Sequence, residues 1–209
     1  MNIPDTEKQE PTEMDKMMNQ DSRPASGGVL EFVGELIKIT LIALAIIVPV
    51  RYFLVKPFYV NGASMEPTYY NREYLIIDEI SYRFHVPQRG DVVVFKYPLD
   101  ESQFFIKRII GLPGERVSVR DESVTVYNEA HPEGIVLKEP YLGEDVVTTD
   151  TSDVALSEDE YFVMGDNRMA SLDSRRFGAL GRSEIIGRAW LRGWPFDRLG
   201  VLEHYSFSF

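Results

Sequence analysis

Three short stretches of the chain carry residue types that could do chemistry together. The first is Gly62-Ala63-Ser64-Met65-Glu66-Pro67-Thr68. Gly62 and Ala63 leave room beside Ser64 for another chain. Pro67 fixes its own φ and biases Glu66 away from helix. Ser64 therefore belongs on a rigid turn with its hydroxyl presented outward. A lone serine on a turn is most often just a turn residue, and its hydroxyl is a weak nucleophile until a base takes its proton. The second stretch, Phe104 to Ile110, could supply that base. Read as a strand it alternates faces, so Lys107 points with Phe105 and Ile109, while Arg108 points with Ile106 and Ile110. One of these cations shares a largely apolar face. A lysine there loses solvation for its charged form and its pKa falls, and a neutral amine is a usable general base. The same alternation also suits an edge-strand charge that keeps a sheet soluble. The third stretch, Gly165 to Gly178, is dense in small polar and charged groups. Ser171 or Ser174 could orient an amine, and Asp173 with Arg175 could brace the loop as an ion pair. Its composition equally describes a solvated surface loop.

These residues lie far apart in the chain, so only a fold can bring them together. After Pro57 the sequence reads as short β-type runs divided by turn residues. The runs are Phe58–Val60, Tyr74–Asp78, Asp91–Phe95, Phe104–Ile110, Tyr161–Met164 and Ile185–Leu191. Val117–Val119 and Val124–Val126 form a hairpin pattern around Arg120-Asp121-Glu122-Ser123. Strands at this spacing, with turn signals between, predict a mostly β barrel or sandwich. Residues 129–160 are acidic, rich in Thr, Asp and Gly, and weakly patterned. They read as a surface excursion with one short strand at Ile135–Leu137.

The first 28 residues are polar and acidic without hydrophobic periodicity, which suits a disordered tail. An apolar segment follows over 29–56. Glu31, Glu35 and Lys38 share one helix face in its first turns. Ile39 to Val50 is free of charge, and Arg51 interrupts before Tyr52–Val55. Twelve residues are too few for a bilayer, which needs roughly 20. Seventeen, from Ile39 to Val55, suffice only if Arg51 snorkels to the headgroups. A single membrane anchor is the favoured reading, beside a buried core helix and a secretory apolar region. Basic residues flank both ends, so charge does not orient it. Residues 57–209 remain for the β domain. The net charge of −11 argues against nucleic acid as a partner. The absence of cysteine removes thiol chemistry and disulfides. His85, His131 and His204 lack metal-ligand spacing, so no cofactor is expected.

Read in order, four blocks resemble the type I signal peptidases, membrane-anchored Ser-Lys proteases that remove signal peptides from exported proteins. They are Ser64-Met65-x-Pro67-Thr68; Arg89 to Phe95; Lys107 to Glu115; and Gly165-Asp166-Asn167-Arg168 with Ser171, Asp173-Ser174-Arg175 and Phe177-Gly178. The resemblance runs from about Phe58 to Arg192. It implies a largely antiparallel β catalytic domain with one N-terminal transmembrane helix, in the compact form found in Gram-positive bacteria. It further implies a cytoplasmic tail and a domain on the outer side of the plasma membrane. Ser64 is then the nucleophile, Lys107 its general base, Ser171 the hydroxyl that positions the amine, and Asp173 with Arg175 the supporting pair. Phe58, Val60, Met65, Phe105 and Ile106 would accept small side chains at the −1 and −3 positions of secretory preproteins. Two departures stand out. Gly62 occupies a place where some relatives carry a hydroxyl that helps bind the oxyanion, and Ala170 a place where many carry Asn. The competing readings are an autoproteolytic Ser-Lys repressor, for which the acidic tail is the wrong material, and an inactive membrane-tethered binding domain. A β-lactamase-like Ser-x-x-Lys is excluded at Ser64 because Pro67 stands where the lysine would be.

Overall fold

The computed structural model describes residues 27–49, 56–143, 146–149, 151–202 and 204–207. The chain divides into two compact units, one ending at Val48 and the other beginning at Pro49. The described part of the first belongs to a single helix, α1, which runs over Gly27–Pro49. Its apolar side chains, among them Leu30, Phe32, Ile37, Leu41 and Ile46, are exposed. Among the described residues, no helix is long and apolar enough to cross a membrane. Glu31, Glu35 and Lys38 occupy the first half of α1, and the uncharged remainder from Ile39 to Pro49 rises only roughly 16 Å, against roughly 30 Å of hydrocarbon. Lys56, the last residue of the expected 29–56 helix, begins the first strand instead. The expected tail (apart from the start of α1) and residues 50–55 lie outside the described residues.

The second unit is built on antiparallel strands. In chain order they are β1 (Lys56–Tyr59), β2 (Tyr74–Asp78), β3 (Val92–Tyr97), β4 (Asp100–Gly111), β5 (Arg116–Arg120), β6 (Ser123–Tyr127), β7 (Ile135–Val136), β8 (Ser152–Ala155), β9 (Glu160–Met164), β10 (Leu180–Gly181), β11 (Ile185–Trp194) and β12 (Gly200–Val201). The larger sheet runs β1-β2-β11-β3-β4-β9-β10, with β12 on β11; the smaller runs β7-β6-β5-β8. A central strand buried on both faces is apolar continuously rather than alternately, and β3 shows why. Val92 and Val94 pack into one core with Leu75, Ile77 and Ile106, while Val93 and Phe95 pack into another with Ile109 and Val163. A third core, around Val117, Val119, Val124, Val126 and Phe162, joins the two sheets.

The segment read as a surface excursion is more engaged than its composition suggests. It contributes β7 and β8 to the smaller sheet and buries Leu137, Thr148 and Leu156. Glu139 accepts a bond from Arg168 Nη1 at 2.8 Å, and Thr148 Oγ1 accepts another from the same nitrogen at 2.8 Å. Arg168 is fully buried at the side chain, so its charge depends on these partners. Replacing Glu139 with alanine removes the carboxylate and leaves a buried cation, a loss of roughly 3–5 kcal/mol. Denaturant unfolding of Glu139→Ala should show a drop of that size, and a change below 1 kcal/mol (roughly the worth of an exposed pair) would contradict it.

Candidate active site

Ser64 sits on the turn that follows β1. The turn is pinned from below by Met65, which is buried in the first core. Glu66 N–H bonds to Ala63 O at 3.1 Å and Tyr69 N–H to Met65 O at 2.9 Å, which tightens the chain into successive turns. Gly62 has φ +109°, a region that favours glycine, and its N–H donates to Asn71 Oδ1 at 3.0 Å. Thr68 Oγ1 donates to Asp166 Oδ2 at 2.6 Å, and Asn167 N–H donates to Ser64 O at 3.0 Å. The turn is therefore held by the Gly165–Gly178 loop on one side and by its own hydrogen bonds on the other.

Lys107 lies in the middle of β4, opposite Val93 of β3. The strand carries both cations of the Lys107-Arg108 pair into the interior, at 3% and 2% exposure. Arg108 is compensated. It makes two bonds to Asp166, at 2.9 and 2.6 Å, and a third to Gly90 O at 3.0 Å. Lys107 has no carboxylate within salt-bridge distance among the described residues. Its Nζ lies 2.8 Å from Ser64 Oγ and donates to Ile106 O at 2.9 Å. Burial disfavours the ammonium and draws its pKa down from 10.5 to about 8, against the pull of Asp173 and Asp166. A lysine with this environment holds a useful fraction of free amine near neutral pH, in contact with a serine hydroxyl.

The third stretch is a folded loop rather than a solvated one. Asp173 and Arg175 are both fully buried and share bonds of 2.8 Å from Nε and Nη2. Burial raises the Asp173 pKa, but the bonds and charge of Arg175 outweigh it and hold the carboxyl below its ordinary range. Arg175 also reaches Thr149 O and Arg168 O, at 2.8 and 2.7 Å. Ser174, which the sequence offered beside Ser171, is turned to the backbone and accepts from Val163 N–H at 3.0 Å. Ser171 Oγ is buried and has no hydrogen bond of good geometry, so the expected bond to the Lys107 amine is not formed in this structure. It still sits close enough to Asp173 to add to the pull on that carboxyl. A Cβ at Gly165 would collide with both Ser171 Oγ and Ser64 O, which explains the glycine between the two blocks.

A cavity of about 250 Å³ opens over Ser64 and Lys107. Of the five residues expected to receive substrate, Phe58, Phe105 and Ile106 line it. Val60 and Met65 do not; both are 1% exposed and belong to the core beneath the turn. Val60 follows β1 and packs inward beside Leu75. Sequence reasoning missed Ala170, Leu172 and Phe104, which also line the cavity. The first two flank Ser171, and that adjacency was the available signal. A second, more apolar groove of about 300 Å³ adjoins the first, sharing Phe58 and Phe104 and adding Ile77, Val94 and Ile186.

The family model for signal peptidase, peptidase S26, matches residues 33–194. The chain is 37% identical to a probable signal peptidase I-2 of Synechocystis over 80% of its length and 76% of the relative's. It is 34% identical to signal peptidase I P of Bacillus subtilis subsp. natto, over 78% and 90%. Among solved structures, a signal peptidase I from Enterococcus faecalis aligns at 32% identity and a TM-score of 0.42, covering 50% of this chain and 97% of that one. With residues of three sequence blocks meeting at one cavity, and a family match spanning most of its length, this chain belongs to the signal peptidase family, peptidase S26.

Proposed function

We propose that the protein is a serine endopeptidase that removes signal peptides from secretory preproteins, with Ser64 as nucleophile and Lys107 as general base. The observation that carries this reading is the 2.8 Å contact between a buried Lys107 amine and the Ser64 hydroxyl. The neutral amine takes the Ser64 proton as Oγ attacks the scissile carbonyl carbon. The resulting oxyanion faces the Ser64 N–H, which makes no hydrogen bond among the described residues. Collapse of the tetrahedral intermediate expels the new amino terminus, which leaves with the proton held on Lys107. A water then gives its proton to Lys107 and attacks the ester, and the proton passes from Lys107 to the departing Ser64 Oγ, which restores the free serine. Asp173 and Arg175 brace the loop that closes the base from solvent, and Ser171 is the hydroxyl beside it.

The two adjoining cavities support a preference for small side chains at −1 and −3. An extended substrate presents alternate side chains to the same face, roughly 6.6 Å apart, and the cavities share one wall at Phe58 and Phe104. Lipid contact is supported by two features. The apolar side chains of α1 are uncovered, and a helix of that kind calls for an apolar surrounding. On the β unit, Tyr59, Tyr74, Trp194 and Phe196 are all exposed. Tyr59 contacts Tyr74 at 4.9 Å and Trp194 contacts Phe196 at 4.7 Å. Aromatic rings of this amphipathic kind gather where protein meets a membrane interface. In this reading α1 and the apolar residues after it anchor the chain, and the β unit works on the extracytoplasmic side.

A preprotein cleavage assay on the full chain, beside Ser64→Ala and Lys107→Ala, tests the mechanism. Cleavage after a small-x-small sequence by the parent, and a loss of roughly 10⁴-fold or more in folded variants, is expected; full activity in either variant would sink the dyad. The pH profile follows from the sign of the lysine shift. Activity needs the deprotonated amine, so kcat should climb about tenfold per pH unit below about 8 and level off above it, whereas an acidic optimum would contradict a lysine base. Flotation with phosphatidylcholine–phosphatidylglycerol vesicles checks the anchor. The parent should float and the Leu41→Asp/Ile46→Asp double variant should not; a parent left in the soluble fraction would refute membrane binding.

A further inference from the structure

Tyr141 sits where three separate parts of the β unit meet. Its ring lies over the Arg108 guanidinium at 4.1 Å. Its hydroxyl donates to Glu139, the carboxylate that also receives Arg168. On its other flank Tyr205 and Phe207 pack against it, with ring centroids 5.0 and 6.0 Å away. None of the chemical steps above uses Tyr141 or the residues that follow Val201.

We propose that Tyr141 is a positioning residue for the Ser64–Lys107 pair, clamped in place by the C-terminal residues 204–207. The proposal rests on the hydrolase reading above. Arg108 follows Lys107 directly in β4 and grips Asp166 with two bonds. Asp166 in turn accepts from Thr68, and its neighbour Asn167 donates to Ser64 O. A ring seated on Arg108 thus fixes the partner that holds both ends of the Ser64 turn, and a buried cation over an aromatic face adds attraction of its own. Through Glu139 the same tyrosine is tied to Arg168, three residues before Ser171. The clamp is anchored by close contacts. Leu202 N–H donates to Trp190 O at 2.8 Å. His204 Nδ1 lies 3.0 Å from Asp91. The Tyr205 carbonyl rests against Gly90 so closely that a Cβ there would collide with it. Gly90 O is itself a partner of Arg108. The carboxylates that act on Lys107 are Asp173 and Asp166, one backed by Arg175 and the other by Arg108, so loosening Arg108 changes the surroundings of the amine.

The test uses full-length protein with Tyr141→Ala, Tyr141→Phe and the pair Tyr205→Ala/Phe207→Ala. The readouts are kcat, KM, the pH midpoint of kcat and Tm. Tyr141→Ala and the C-terminal pair should each lower kcat about tenfold or more, with KM within about twofold. Both should raise the pH midpoint by about half a unit, because water reaching Arg108 and Asp166 relieves the burial that keeps Lys107 neutral. Tyr141→Phe keeps the ring on Arg108, and should return most of kcat and the parent midpoint. A Tyr141→Ala protein that melts earlier but keeps kcat and midpoint reduces Tyr141 to packing and overturns the proposal. So does a Tyr141→Phe variant as impaired as Tyr141→Ala. If Tyr141→Ala does not fold, the C-terminal pair decides, and unchanged kcat and midpoint there overturn it equally. An active parent with unaffected variants defeats this proposal alone; an inert parent defeats the hydrolase reading and this proposal with it.

Discussion

The arrangement depends on a lysine that is buried with no carboxylate within salt-bridge distance among the described residues. Two carboxylates act on Lys107 and favour its ammonium form, Asp173 and Asp166. If either were free to bond the amine, the proton would be held on nitrogen. Each is instead saturated by an arginine, Asp173 by Arg175 and Asp166 by Arg108. Guanidinium is suited to this task. It stays charged at all relevant pH, and its planar fork takes both oxygens of a carboxylate. The result is a site rich in charge in which, among the described residues, the lysine's partners are a hydroxyl, a peptide carbonyl and the Phe105 ring.

The arginines also explain how a loop can hold the candidate site. Buried ion pairs add little net stability over well-packed apolar residues, but breaking one is costly. Their effect is geometric. Arg108 links β4 to the loop at Asp166, Arg175 links the loop to residue 149, and Arg168 links it to Glu139 and Thr148. The loop is therefore tied to β4 and to the 129–160 segment at once. Gly165 supplies the close approach that lets Ser64 and Ser171 share the space between.

Much of this was legible in the chain. The strands with strong β-type patterning, such as β2, β6 and β9, appear where the apolar runs predict them, and the hairpin between β5 and β6 turns at the expected residues. Ser64, Lys107 and the Asp173–Arg175 pair could be picked out because each has an unusual chemical setting: a tight turn, an apolar strand, a dense polar loop. The 129–160 segment was not legible. Its role lies in polar bonds between residues distant in sequence, such as Glu139 with Arg168, and these leave no periodicity. The apolar residues near Ser64 misled for the opposite reason. Hydrophobicity marks Val60 and Met65 as buried but does not say whether the surface they meet is a core or a pocket.

The energetics of Lys107 bear on why it is there at all. The unfolded chain binds its proton with the ordinary affinity of 10.5, the folded chain with about 8. Between those values the unfolded state holds more protons, so stability rises with pH across that window. Below about pH 8 both states are protonated, and burying the ammonium costs the fold on the order of 3 kcal/mol. An apolar residue at this position of β4 would carry no such cost, since the Phe105 ring lies beside it. A lysine kept for structure would be expected to have a carboxylate beside it. This one is placed against a serine hydroxyl, and in the proposed mechanism the same burial that weakens the fold near neutral pH frees the amine to accept a proton from that hydroxyl.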